Sequence, residues 1–197
     1  MKEHELHNYK LVLQYEGIRY NGWQKQKNQE NTIQEAVENA VFDGTGERAE
    51  VIGSGRTDAG THAMGQVANV KLGQDLEPER LMDNINKHLP SDIKILECEK
   101  VDNRFHARLN AKAKTYMYTL CVGKKPDVFN RRTVLHYCAD LDVDAMKKAA
   151  EYLKGEHDFM SFCSNKRTKK STVRKIYDIE IIKDGDEISF IFKGNGF

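Results

Sequence analysis

The chain has 197 residues, and its 31 Lys and Arg against 30 Asp and Glu give a formal net charge of +1. Hydrophobic residues make up 39% and charged residues 31%, which excludes an intrinsically disordered chain. No apolar run reaches the ~18 residues that a membrane helix needs, and the N-terminal stretch MKEHELHNYK contains no apolar secretory core. The composition therefore predicts a soluble cytoplasmic protein with one or two domains.

The first half of the chain carries strand and helix patterns in alternation. Apolar residues that alternate with polar ones predict a strand at 9–16, and further strands are expected at 48–52, 66–72 and 93–101. A helix is expected after Thr32, because Glu35 stands at capping-box spacing, and it ends by Gly46. A second helix begins at Pro78. The order β-α-β-β-α-β predicts a split, ferredoxin-like arrangement, in which an antiparallel sheet carries helices on one face.

The second half repeats this outline less completely. The patterns predict a strand, a helix and a two-stranded hairpin, at 114–122, 143–153, 173–183 and 187–193. We therefore expect an α+β fold of two ferredoxin-like lobes with mainly antiparallel sheets and a cleft between them. The predicted domains are 1–105, which carries the glycine-rich loop described below, and 106–197. Because the chain stops soon after the hairpin, the second lobe is expected to be incomplete.

Four cysteines are spread widely along the sequence, with no Cys-x-x-Cys pair. They are Cys98, Cys121, Cys138 and Cys163. No cluster of Cys and His has the spacing of a zinc site. The pattern predicts free, mostly buried thiols in a reducing compartment.

Basic residues are concentrated in two places despite the near-zero net charge. The segment 165–175 carries six Lys and Arg residues and no acid. A second series consists of Arg104, Arg108, Lys112 and Lys114. Such segregation can give a basic face that suits a phosphate-rich partner. For the segment 165–175, a solvated loop without a partner is an equally good interpretation.

The segment 53–63, GSGRTDAGTHA, lies between two predicted strands and has the composition of a functional loop. It fits neither a dinucleotide fingerprint, a P-loop nor a nucleophile elbow. What remains is Asp58 on a glycine-rich loop, two residues from Arg56. An aspartate can act as a nucleophile or general base, and a nearby guanidinium would keep it ionised and orient it. The alternative is a structural turn in which Asp58 caps backbone N–H groups.

Aromatic and basic residues elsewhere suggest contacts with RNA. Tyr20 and Trp23 lie in a polar loop that could stack on unpaired bases, although Trp23 is equally compatible with a place in the core. His106 lies between an aromatic residue and an arginine, where a hydrogen-bonded structural histidine is the more ordinary interpretation. Tyr116 and Tyr118 share one face of a predicted strand, and most such pairs pack in a core.

Together these segments resemble the tRNA pseudouridine synthase A family. The loop GSGRTDAGTHA looks like the family signature, and the resemblance extends over residues 9–197. Further segments that match in order are YNGWQ at 20–24, TIQ at 32–34, FHAR at 105–108, KTYMY at 114–118, DF at 158–159, SF at 161–162 and TVR at 172–174. Several ordered matches of this kind make a coincidence very improbable.

The resemblance implies a tRNA pseudouridine synthase that isomerises uridine in the anticodon stem-loop, at positions 38–40 of the tRNA. It implies that Asp58 is the essential aspartate and attacks the target uridine at the sugar or at the base. It further implies that Arg56 helps to flip the nucleotide and fills its place, and that Tyr116 stacks on the flipped base. No cofactor or metal is implied, and members of the family are typically homodimers.

The aromatic and basic residues, together with the resemblance, lead us to expect a set of RNA contacts. These are Tyr20, Trp23, Gln24, His62, His106, Arg108, Lys166, Arg167, Lys169, Lys170 and Arg174. The family continues after Gly-Asn-Gly-Phe into a helix with Met-Val-Arg, whose arginine pairs with the catalytic aspartate, so a further C-terminal segment is expected. Without that segment, the alternative function is a non-catalytic RNA-binding protein of the same fold.

Overall fold

The computed structural model describes residues 6–26, 28, 30–123, 127–163 and 171–196. The chain divides into two compact units between Ala111 and Lys112. Each unit contains its own sheet, with two helices in the first unit and one in the second among the described residues. The fold is α+β with three helices and two mainly antiparallel sheets in the described ranges, which confirms the predicted fold class.

The first unit contains four strands and two helices. In chain order they are β1 His7–Tyr15, α1 Ile33–Thr45, β2 Val51–Gly53, β3 Ala63–Leu72, α2 Pro78–Asn86 and β4 Ile93–Val101. A short 3₁₀ turn, Gly17–Arg19, follows β1. The strand order in the sheet is β2-β3-β1-β4, with antiparallel neighbours throughout. The predicted β-α-β-β-α-β order and antiparallel sheet are confirmed.

Helix α1 begins where the capping pattern predicts. The Thr32 Oγ1 accepts a hydrogen bond from the Glu35 backbone N–H at 3.3 Å. In return, the Glu35 carboxylate accepts from the backbone N–H of Asn31 at 3.2 Å, one residue before the cap. Gly46 ends the helix in the left-handed region with a φ of 78°. Side-chain hydrogen bonds therefore fix the start of α1, and the backbone of a glycine fixes its end.

The core of the first unit lies between the sheet and its two helices. On β1 the residues at alternate positions, among them Tyr9, Leu11 and Leu13, are completely buried. They belong to the same cluster as Val37 of α1 and Ile85 of α2. Each fully buried aliphatic side chain contributes roughly 1.5–3 kcal/mol to folding. This packing makes the sheet a firm base for the loops at its ends.

The second unit contains a five-stranded sheet and one helix. In chain order the elements are β5 Lys114–Val122, β6 Leu135–Tyr137, α3 Val143–Glu151, β7 Gly155–Asp158, β8 Val173–Asp184 and β9 Glu187–Gly194, with a 3₁₀ turn at Met160–Phe162. The strand order is β6-β5-β9-β8-β7, and only the β5–β6 pair is parallel among the described strands. Helix α3 starts at Asp142, whose carboxylate accepts from the Ala145 N–H at 2.9 Å. The short edge strands β6 and β7 were not predicted.

The four cysteines are free thiols, as predicted. The prediction that they are mostly buried is wrong, because Cys138 is exposed and the other three are only partly buried. Within the described ranges, no helix has the length and apolar character required to cross a membrane.

Candidate functional site

The loop that carries Asp58 is anchored at both ends by the sheet of the first unit. It leaves β2 at Gly53, which pairs with Ala68 of β3. The Ser54 N–H then donates to the Val67 carbonyl at 2.7 Å. The Gln66 side-chain amide, on β3, donates to the Gly55 carbonyl at 2.6 Å. The sheet thus determines where the first residues of this loop lie.

A second segment, residues 20–24, supports the loop from the side. The Trp23 N–H donates to the Thr57 carbonyl at 3.0 Å, and the Gly60 N–H donates to the Tyr20 carbonyl at 3.3 Å. Gly22 has a φ of 80°, and a Cβ there would lie 2.4 Å from the Thr57 oxygen. A glycine is therefore required at this crossing. The two segments form one hydrogen-bonded unit of local structure.

Asp58 lies at the surface of this assembly. Its side chain is exposed, and its backbone carbonyl accepts from the Thr61 N–H at 3.1 Å. Among the described residues, nothing donates a hydrogen bond to the Asp58 carboxylate or forms an ion pair with it. The alternative that Asp58 acts as a turn cap therefore finds no support in its side chain. The carboxylate is therefore exposed to solvent, and its predicted role as a nucleophile or base stays a prediction.

Arg56 is also exposed, but it does not pair with Asp58 in the described part of the chain. Its Nε–H donates to Gln24 Oε1 at 3.0 Å. The expectation that the nearby guanidinium orients the aspartate is therefore wrong for this structure, because Gln24 is the group that Arg56 contacts. The structure brings together three predicted site residues, Asp58, Arg56 and Gln24, on two segments that are bonded to each other.

The aromatic residues of this region are buried. Tyr20 is 4% exposed and Trp23 is 2% exposed. The Trp23 ring lies 6.2 Å from that of Tyr15, whose hydroxyl shares a 3.0 Å hydrogen bond with the Thr57 hydroxyl. Burial favours the interpretation of Trp23 as a core residue that holds the loop. Direct stacking of an RNA base on Tyr20 or Trp23 stays a prediction, and it would require the loop to move.

Comparison with known proteins identifies the family. A family model described as tRNA pseudouridine synthase matches residues 11–110, within the first unit, and residues 149–197, within the second. The chain belongs to the tRNA pseudouridine synthase family. Enzymes of this family are isomerases that convert uridine to pseudouridine.

Individual relatives agree with this assignment. The chain is 42% identical to "tRNA pseudouridine synthase A 2" of Bacillus cereus (strain ATCC 10987 / NRS 248), over 98% of this chain and 78% of that protein. It is 44% identical to "tRNA pseudouridine synthase A" of Bacillus sp. (strain KSM-64), over 98% and 79%. It is 40% identical to the protein of that name from Acetivibrio thermocellus, over 98% and 78%.

In this tRNA pseudouridine synthase family member, His106 and Arg108 lie in a turn after β4. The Nδ1 of the half-buried His106 accepts from the Leu109 N–H at 3.3 Å, and the His106 N–H donates to Asn110 Oδ1 at 2.7 Å. Arg108 is exposed, and His62, at the end of the Asp58 loop, is half-buried. The predicted RNA contacts of these three residues stay predictions.

Two buried asparagines fix that turn, and sequence reasoning missed both. Asn69 Oδ1 accepts from the Ala107 N–H at 2.9 Å, while its amide donates to Asn8 Oδ1 at 3.0 Å. The Asn8 amide in turn donates to the Phe105 carbonyl at 2.9 Å. Both amides are almost fully buried. Asparagines within otherwise apolar strand patterns were the available signal, because a buried amide needs hydrogen-bond partners.

The second unit carries Tyr116 and Arg174. Tyr116 lies on β5 opposite Phe192 of β9 and is half-buried, whereas Tyr118 on the same face is 54% exposed. Arg174 Nη1 donates to the carbonyls of Ser171 and Val173 at 2.9 and 2.7 Å. Four predicted RNA contacts lie outside the described residues, namely Lys166, Arg167, Lys169 and Lys170.

Tyr20 fixes the start of the supporting segment by a buried hydroxyl. It donates to Asp92 Oδ1 at 2.7 Å, and Asp92 Oδ2 pairs with Arg19 at 3.0 Å. Burial is the larger cause and the hydrogen bond to the Asp92 carboxylate the next, and they raise the pKa of Tyr20 from 10.0 to about 12. The neutral phenol is therefore favoured in the folded state. Its stabilising effect is complete below pH 10 and is lost as the pH rises to about 12.

We therefore expect the Tyr20→Phe variant to be less stable than the original chain by about 1 kcal/mol at neutral pH. The difference should shrink between pH 10 and about 12, because the unfolded phenol ionises first. Urea unfolding of both proteins at pH 8 and pH 11 measures this difference. Tyr152→Phe, at an 82% exposed tyrosine of the second unit, is the control. A Tyr20 difference that is the same at both pH values would contradict the prediction.

Proposed function

We propose that this chain isomerises uridine to pseudouridine in the anticodon stem-loop of tRNA, at positions 38–40, with Asp58 as the essential catalytic residue. The observation that carries the proposal is the exposed Asp58 carboxylate. It has no partner among the described residues, and it lies on a loop held by the sheet and by the segment 20–24. Family membership supplies the reaction.

The reaction rearranges bonds within one nucleotide. The N1–C1′ bond of uridine breaks, the base rotates, and a C5–C1′ bond forms. C5 loses its proton and N1 gains one, so the product is an isomer and no oxidant or reductant is needed. We assign to Asp58 the nucleophilic attack, on the sugar or on the base.

Arg56 and Tyr116 have supporting roles in this proposal. Extrusion of the target uridine requires a few kcal/mol of unstacking. The exposed Arg56 guanidinium can fill the vacated place and bind a phosphate. We assign to Tyr116 stacking on the extruded base and help with removal of the C5 proton.

The proposed substrate contacts are mainly electrostatic. Arg108 is exposed, and such side chains bind phosphates in a way that weakens as salt rises. We also propose that the protein works in the cytoplasm, as its composition suggests, and as a homodimer, as the resemblance implies. A purely RNA-binding role would not call for an exposed carboxylate without a partner among the described residues, because a carboxylate repels RNA phosphates.

Tritium release tests the proposed function directly. A tRNA transcript labelled at C5 of uridine should lose label to water when it is incubated with this chain, because the C5 hydrogen is replaced by the sugar. The matched control is the same transcript with cytidine at positions 38–40, which should release nothing. Tight binding of the tRNA with no release from either transcript would reject the isomerase assignment in favour of RNA binding.

A further inference from the structure

A chain of side-chain hydrogen bonds leads from Arg56 into helix α1. Arg56 Nε donates to Gln24 Oε1 at 3.0 Å, and Gln24 Nε2 donates to Gln34 Oε1 at 2.7 Å. Gln34 Nε2 then donates to Glu38 Oε1 at 2.9 Å. The other Glu38 oxygen pairs with the Lys25 ammonium at 3.0 Å. We name the set Gln24, Gln34 and Glu38 the relay.

The relay has only one consistent direction. Arg56 can only donate hydrogen bonds, so Gln24 must turn its oxygen towards it. The Lys25 backbone N–H donates to Gln34 Oε1 at 3.0 Å, which fixes the orientation of the second amide. When it is ionised, the Glu38 carboxylate accepts hydrogen bonds and cannot donate them. Each glutamine is thereby held in a single amide orientation, because its neighbours can only donate or only accept a hydrogen bond.

Burial makes this arrangement rigid. Gln34 is 4% exposed, and the Glu38 side chain is 14% exposed. An unmade hydrogen bond at such a site leaves a desolvated polar group, which strongly disfavours other arrangements. Glu38 Oε1 also accepts from the Val51 N–H at 3.2 Å, at the start of the strand β2 that leads into the Asp58 loop. The relay is thus connected to the same loop by its side chains and by the backbone.

The relay contacts Arg56 through Nε alone. Among the described residues, Arg56 has no partner other than Gln24. Its four terminal N–H groups therefore remain available, and these are the groups that bind a phosphate in bidentate fashion. An arginine side chain that is free in solution loses rotamer entropy on binding. A guanidinium held beforehand by its Nε loses less.

We propose that Gln24, Gln34 and Glu38 are positioning residues that hold the Arg56 guanidinium by its Nε and leave its terminal nitrogens for an RNA phosphate beside the target nucleotide. This proposal rests on the proposed function for its consequence in catalysis. The arrangement itself can be tested without any activity measurement.

The first test observes the Arg56 Nε–H by NMR, with its signal assigned by its loss in Arg56→Lys. We expect exchange of this proton with water to become about fivefold faster in Gln24→Met and in Gln34→Met, because its acceptor is lost or misoriented. The control is Asn86→Leu, which removes another side-chain amide of the first unit. The Asn86 amide donates to the Ile95 carbonyl and accepts from the Ile95 N–H. Unchanged exchange in both glutamine variants would overturn the relay.

The second test is a double-mutant cycle between Gln34 and Arg56, which form no hydrogen bond with each other and are connected through Gln24. Under single-turnover conditions we expect Gln34→Met to slow pseudouridine formation about tenfold, and Arg56→Ala to slow it more, with tRNA Kd values within about threefold. In the Arg56→Ala background, Gln34→Met should have no further effect. If Gln34→Met acted through a general loss of structure, its rate reduction would instead multiply with that of Arg56→Ala.

The outcomes separate the two proposals. If the original chain releases no tritium, the proposed function fails, while the NMR test still decides whether the relay holds Arg56. If the original chain is active and the Gln34 and Arg56 effects multiply, the positioning role is rejected and the proposed function stands. If Asn86→Leu slows the reaction as much as Gln34→Met, the effect is one of stability, and the positioning role is again rejected.

Discussion

The Asp58→Ala variant is expected to lose pseudouridine formation, by about 10⁴-fold or more, because removal of a catalytic nucleophile has effects of this size. Affinity for tRNA should stay within a few-fold. The carboxylate forms no hydrogen bond or ion pair with the described residues, so its loss removes no polar interaction of that kind from the fold. Single-turnover tritium release and a tRNA filter-binding titration measure the two quantities.

The control for this variant is Asp83→Ala, which removes an exposed carboxylate from α2 in the same unit. Its rate should equal that of the original chain. The free energies of unfolding from urea titrations should agree among all three proteins to within about 0.5 kcal/mol, as for surface substitutions in general. Continued pseudouridine formation by Asp58→Ala would show that another residue performs the attack.

The elements that could be predicted from sequence are those determined by local chemistry. Helix α1 begins at Thr32 because its cap and Glu35 lie within one turn of each other. Strand β5 has the predicted bounds because aromatic and β-branched residues are concentrated in its nine positions. Strand β7, with the polar sequence GEHD, has no such pattern and exists because it pairs with β8. Its formation depends on a partner that is distant in sequence.

The same distinction applies to the candidate site. Asp58 could be found because glycines and charged residues adjoin it in the sequence. The contact between Arg56 and Gln24 joins residues 32 positions apart, and local proximity had suggested Asp58 as the partner instead. Gln34 occupies an ordinary polar position in a helical pattern, and only the tertiary structure reveals that it is buried. Positioning residues are therefore harder to predict than the reactive group that they serve.

The close packing of Trp23 against Gly53 should make the free energy of unfolding sensitive to any side chain at position 53. A Cβ at Gly53 would lie 2.5 Å from Trp23 Cε2 and 2.7 Å from its Nε1. Both residues belong to the first unit, and the indole is 2% exposed, so it has little room to withdraw. We expect Gly53→Ala to lower the free energy of unfolding by about 2–3 kcal/mol, the usual range for overpacking. Because the Asp58 loop begins at this glycine, pseudouridine formation should also slow.

The matched substitution Gly65→Ala introduces the same methyl group on β3, where its one close neighbour is Val12 Cγ1 at 3.9 Å. We expect this variant to change the free energy of unfolding by less than about 1 kcal/mol. The specific cause is tested by Trp23→Phe, because a phenyl ring has no counterpart to Nε1. Steric conflict with the indole predicts that Gly53→Ala destabilises the Trp23→Phe protein by about 1 kcal/mol less than the original chain. Equal losses in the two backgrounds, measured by urea unfolding, would place the strain in the β2 backbone and not in the contact with Trp23.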